Sequence, residues 1–280
     1  MSEFPIMDDH MHLQSNGQNV EAVKEFHRAG GTHLIVTHLP HKGYHISKPE
    51  DWRAQFDVTV QLAEQARKLT EVTIFVVLGP YPVQLVRMSE HMPLEKGVDI
   101  MIAGMDIAAD YVNEGKAIAL GEIGRPHFPV SKELIEASNG IMKYGMEKAK
   151  ELRCAVVLHT EGGTHEVCRE LAEIANSAGL HLDKVVKHFS GPIIRESENH
   201  GLFPSVLASR SNVEKAISQG NRFMLETDYL DDPRRPGAVL GIKTVPKRTK
   251  TFLETGLFSE EDVWAIHKDY PEKVYGISIE

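Results

Sequence analysis

One feature constrains this chain more than any other: short apolar runs alternate with polar loops and longer amphipathic stretches from end to end. The runs fall at 4–10, 33–39, 73–81, 117–124 and 155–160, with weaker ones at 185–188, 203–209 and 222–228. Short runs rich in Val, Ile and Leu, bounded by polar or glycine-containing segments, read as buried strands. Between them lie stretches of helical period at 19–31 (closing on Gly30-Gly31), 51–69, 131–152 and 164–179. Strands alternating with helices demand parallel pairing through right-handed crossovers. Eight such units and a helical tail predict an α/β fold, a single (β/α)8 TIM barrel with a C-terminal helical extension. The rival, an open doubly wound sheet, calls for a glycine-rich phosphate loop after its first strand. This chain has "MDDHMHL" there, Met7 to Leu13. No Pro/Gly/Ser-rich linker and no internal repeat divides the sequence, so one domain over 1–280 is expected.

Barrel enzymes place their chemistry at the C-terminal ends of the strands. The first strand ends in His10 and His12, which alternate onto one face. The fourth ends in "GEIG" with Glu122, the fifth in "VVLHTEG" with His159, the sixth in "VVKHFSG" with His188, and the eighth in "LETDYL" with Asp228. Each residue alone has an ordinary reading: a hydrogen-bonded core histidine, an ion-pair partner, a helix N-cap. His27, His33, His165, His181, His200 and His267 are given that reading. Six polar groups interrupting strands at the equivalent point are a different matter. Four imidazoles and two carboxylates suit zinc or a similar divalent ion, manganese and magnesium being the alternatives. They exceed what one open zinc needs, which favours two ions sharing a carboxylate and a hydroxide.

The same motifs carry a family resemblance. "DDHMH", "GEIG", "VLHTEG", "HFSG" and "LETDYL", in that order and spacing, resemble the TatD-like metal-dependent hydrolases of the amidohydrolase superfamily. The likeness runs from Asp8 to the closing "YPEKVYGI". It implies that His10, His12 and Asp228 hold one ion, His159 and His188 the other, with Glu122 bridging. Phosphotriesterase-like relatives typically bridge with a carboxylated lysine, so Glu122 points to the TatD-like branch. This sequence also departs from the pattern. "GPYP" puts Tyr81 where the family has a histidine, Arg125-Pro126 replaces an "LD" pair, and Glu161 stands in place of an arginine. Those positions line the family's substrate mouth.

The remaining mouth candidates are read from the residues themselves. His38, His41 and His45 follow the second strand, and their imidazoles suit an anionic substrate or proton transfer as well as a solvated loop. His38, at the strand end, is assigned to substrate. Arg125 and Arg210 offer planar forks for an anion, with surface ion pairs as the alternative. Asp8, on the face of His10, is a candidate acceptor for a ligand imidazole.

Charge bears on the substrate. Lys and Arg number 31 against 40 Asp and Glu, a net charge of −9, which disfavours an unspecific grip on nucleic acid. The two cysteines make no disulfide framework, the N-terminus does not read as a signal peptide, and no run suits a membrane span. A cytoplasmic protein without a membrane partner is expected. The function expected is a metal-dependent hydrolase in which a bridging hydroxide attacks and Asp228 and Glu122 are the catalytic carboxylates. The first substrate class is a phosphoester: a small nucleotide or single-stranded DNA. Alternatives are an amide, lactone or ester of a small molecule, or a non-catalytic metal-binding protein.

Overall fold

The computed structural model describes residues 4–235 and 237–280. All eight expected strands form: β1 (Met7–His12), β2 (His33–Thr37), β3 (Thr73–Leu78), β4 (Ala119–Gly124), β5 (Ala155–His159), β6 (Val185–Lys187), β7 (Phe203–Leu207) and β8 (Met224–Glu226). A ninth, β9 (Tyr229–Leu230), follows β8 after two residues. They make one curled, all-parallel sheet in the order β8-β7-β6-β5-β4-β3-β2-β1-β9. Period two sorts the strand residues into two cores. Ile35, Val77, Val157, Val186 and Phe203 pack against one another inside the curl. Leu34, Val36, Val76 and Val156 face the helices outside.

The expectation of eight strands closing β8 directly onto β1 needs correction. No ladder joins β8 to β1 among the described residues; β9 pairs with β1 instead, Met11 opposite Tyr229 and His12 opposite Leu230. The cause lies in two aspartates. The Asp8 carboxylate takes the Thr227 amide (3.0 Å) and hydroxyl (2.6 Å), so a side chain stands where a ladder bond would run. Asp228 then sits at φ +48°, a left-handed conformation that Asp tolerates better than most residues, and turns the chain. Its amide donates to the His10 carbonyl (3.0 Å), which resumes the pairing with β1.

Helices cover the sheet at Val20–Arg28, Asp51–Leu69, Lys132–Leu152 and His165–Ala178, as the periodicity predicts. Two more, Val83–Ser89 and Leu94–Asn113, fill the stretch between β3 and β4. The second is tightly built in. Trp52 packs so closely on Gly104 that a Cβ there would lie 2.6 Å from the indole nitrogen.

The C-terminal tail is stitched to β1 by His267. This fully buried ring has Nδ1 3.0 Å from the Met7 carbonyl and Nε2 2.9 Å from the Thr249 hydroxyl. Burial pulls its pKa down to about 4, with the Met7 hydrogen bond opposing. The unfolded chain therefore takes up a proton near pH 6.5 that the folded chain refuses until about pH 4. Stability from this residue is complete above pH 6.5 and is lost as pH falls. The slope is about 1 kcal/mol per pH unit between pH 6 and 4. Urea unfolding at stepped pH should show this slope reduced in His267→Gln; an unchanged slope would remove His267 from the account.

Candidate metal centre

The site begins with the glycines around Glu122. A Cβ on Gly121 would lie 2.7 Å from the Val157 Cβ, and one on Gly124 would lie 2.1 Å from the His159 carbonyl oxygen. Gly124 also has φ +142°, open to glycine but not to L side chains. "GEIG" thus lets β4 press against β5 and sets Glu122, 1% exposed, among the strand-end histidines.

Three imidazoles meet one carboxylate oxygen. Glu122 Oε1 lies 3.2 Å from His10 Nε2, 3.3 Å from His159 Nδ1 and 3.3 Å from His188 Nε2. His10 and His188 stack with ring centroids 3.9 Å apart. His12 Nε2 lies 3.3 Å from Asp228 Oδ1, with His10 Nε2 4.0 Å from the same oxygen. Ligand-type atoms of His10, His12 and Glu122 lie within 4.8 Å of one another, and so do those of Glu122, His159 and His188. Glu122 belongs to both groups.

The nitrogens turned away from Glu122 have partners that fix the rings, as outer groups do around metal ligands. His12 Nδ1 is 2.9 Å from the Thr37 carbonyl. His188 Nδ1 is 3.1 Å from Glu226, which also accepts from the Phe189 amide (2.9 Å) and the Ser205 hydroxyl. His159 Nε2 is 2.8 Å from His127 Nδ1. A third ligand-type group, His10, His188 and Glu226, also comes together. The Glu226 oxygens are already committed to those donors, which makes it an orienting residue for His188.

Electrostatics sharpen the picture. Burial opposes the charged form of Glu122, yet His159, His10 and His188 hold its carboxyl well below the usual range. Burial also works against Asp228, and the His12 hydrogen bond still holds its carboxyl below the ordinary value. Burial and the neighbouring His188 lower the His10 pKa. For His188 burial is outweighed by Glu226, and the pKa rises to about 9. His10 Nε2 is buried and makes no well-aligned hydrogen bond. A buried nitrogen lone pair without a partner, facing a buried carboxylate and more imidazoles, is what a divalent cation would satisfy.

The structure brings His10, His12, Glu122, His159, His188 and Asp228 together. The other sequence candidates scatter. Tyr81 stands beside the cluster, its ring centroid 5.0 Å from that of His159. Arg125 is buried and occupied, pairing with Glu161 (2.8 Å) and Glu170 (2.9 Å). His38 is buried against Thr59 (2.8 Å), which also bonds His41 (2.8 Å). Arg210 is exposed and paired with Glu214 at 2.7 Å. Asp8 contacts the His10 backbone amide and Thr227, so it holds the seam of the sheet rather than an imidazole. Sequence reasoning missed Glu226 and His127. Glu226 precedes Asp228 by two, a detectable period; His127 sits in a loop that carries no period.

Parallel strands presenting histidines and carboxylates at their C-terminal ends define a metal-dependent hydrolase. The family follows from comparison: the model described as TatD related DNase matches residues 7–276, and the chain belongs to that family. It is 39% identical over 283 residues to the uncharacterized protein MJ1127 of Methanocaldococcus jannaschii, spanning 100% of this chain and 99% of that one. Solved structures of similar fold include a TatD-like protein of Archaeoglobus fulgidus (TM-score 0.63, 18% identity, covering 97% of this chain and 100% of that one). A TatD homolog of Escherichia coli gives a TM-score of 0.67 at 18% identity, covering 97% and 98% of the two chains. The phosphotriesterase of Mycobacterium tuberculosis gives 0.68 at 14%, covering 98% and 94%. No helix among the described residues is long and apolar enough to cross a membrane.

Proposed function

We propose that this chain is a single-domain, cytoplasmic phosphoesterase of (β/α)8-barrel type with a dinuclear divalent centre, zinc being the metal its imidazoles best suit. The observation that carries the reading is Glu122 Oε1 within 3.2–3.3 Å of nitrogens from His10, His159 and His188. A carboxylate shared by two ligand groups is a natural bridge between two ions. His10, His12 and Asp228 would hold one ion, His159 and His188 the other, with Glu122 reaching both. When bound, such a pair supplies Lewis acidity toward the substrate oxygen and lowers the pKa of a water.

The chain's own residues divide the remaining work. The Glu122 side chain is 2% exposed and that of Asp228 17%, so only Asp228 faces solvent and substrate. Held ionised, Asp228 can take the proton from the attacking water and return it to the leaving group. Glu226 and His127 keep the His188 and His159 rings oriented.

A second reading, hydrolysis of a small amide, lactone or ester, is favoured by Arg125. Its guanidinium is engaged by Glu161 and Glu170 and is not available to a nucleic-acid backbone. The two separate in one experiment: protein loaded with zinc, manganese or magnesium, assayed on phosphoesters, lactones, amides and single-stranded DNA. Phosphoester turnover above the other classes is the expected result. Faster lactone or amide turnover would replace it with the second reading, and absence of bound metal would remove both.

A further inference from the structure

Beside the metal centre lies a cleft of about 880 Å³, walled by the loops that follow β1, β2, β3 and β9. That volume suits a small molecule rather than a polymer track. Its charge runs against that of the chain. The molecule carries −9 overall, yet the lining holds four cations, Lys42, Arg87, Arg234 and Arg235, against two carboxylates, Glu90 and Asp232. Asp232 is taken by Arg234, through contacts of 3.0 and 2.7 Å. The guanidinium groups of Arg87 and Arg235 make neither hydrogen bond nor ion pair among the described residues.

Tyr81 is the wall common to cleft and centre. One side of its ring meets His159, and the same residue lines the cleft together with Arg87 and Arg235. The far flank of the mouth is different: there Glu161 and Glu170 outnumber Arg125.

We propose that Arg87 and Arg235, assisted by Lys42, form a remote anion subsite, and that the substrate is a small ester carrying a second anionic group. This rests on the reading of the site as a metal-dependent hydrolase. One end of the substrate lies at the metal centre and the other, a phosphate or a carboxylate, in the cleft beyond Tyr81. Guanidinium forks without internal partners break no protein contact on engaging such a group, and they bind it through paired charge-assisted hydrogen bonds. The glutamates that outnumber Arg125 on the far flank argue against an extended polyanion, which needs a basic track along its length.

The test is calorimetric titration of the metal-loaded protein with probes whose P–C or phosphorothioate linkages resist hydrolysis: butylphosphonate, butane-1,4-diylbisphosphonate, 4-carboxybutylphosphonate and the phosphorothioate oligonucleotide dT10. The bisphosphonate or the carboxylate should bind at least about tenfold more tightly than butylphosphonate. Which of the two binds better identifies the remote group. In Arg87→Gln/Arg235→Gln that advantage should vanish, with metal content and butylphosphonate affinity unchanged. An advantage that is absent, or that survives the double substitution, would overturn the subsite. Preference for dT10 over both two-ended probes would overturn the small-substrate claim. Loss of metal and of butylphosphonate binding in the wild type is a separate failure, that of the hydrolase reading itself, and takes the subsite with it.

Discussion

Asp228→Asn should lower turnover on the best substrate by at least about a hundredfold, the usual scale for losing general acid–base assistance. Asparagine keeps the shape and one oxygen but cannot accept a proton at neutral pH. The carboxylate it replaces touches His12 at 3.3 Å and is the more exposed of the two candidate ligand carboxylates. Because an amide oxygen can still meet a cation, metal content should fall less than in His10→Ala or His188→Ala, which delete a nitrogen facing Glu122 outright. The discriminating measurement is turnover alongside elemental analysis of the same preparations. Near-normal turnover in Asp228→Asn would assign the proton to another group. Wild-type metal content in both histidine variants would undo the ligand set.

Much of this molecule was legible in the sequence because burial writes strands as apolar runs. Eight runs became eight strands, with ends shifted by a few residues. β9 was not legible, since two residues after an aspartate carry no period and owe their pairing to the turn at Asp228. The helix Leu94–Asn113 was missed for another reason. It buries Ile100, Met101, Met105 and Ala108 but leaves Ile102 and Ile107 only partly covered, which blurs the apolar stripe. The proposed ligands could be read because they interrupt strands at one level. The groups that orient them could not. Glu226 meets His188 across β7, through a register the sequence does not state, and Ser205 from that intervening strand joins them. Arg125 and Arg210 show the limit from the other side. An arginine in a mouth loop reads as an anion clamp until the carboxylates beside it are placed.

Glu122→Gln should have the larger effect on the centre as a whole. An amide can bridge two cations only weakly and removes a negative charge that three imidazoles face. Metal content should fall by at least half. Turnover should fall by at least about a thousandfold, which corresponds to about 4 kcal/mol of lost charge stabilisation. The fold should survive, because the cores inside and outside the sheet are apolar and extensive and do not depend on this carboxylate. That separation gives the decisive readout. Ligands that bind only the folded state raise its melting temperature by mass action. Added zinc should therefore raise the Tm of the metal-free wild type and leave that of Glu122→Gln nearly unmoved. The metal-free variant itself should melt lower than metal-free wild type, since the histidines that hold the Glu122 carboxyl ionised against the cost of burial lose their buried partner. A variant that still takes up two ions and still gains Tm with zinc would mean that Glu122 is no bridge. The group of His10, His188 and Glu226 would then be the one to hold the metal.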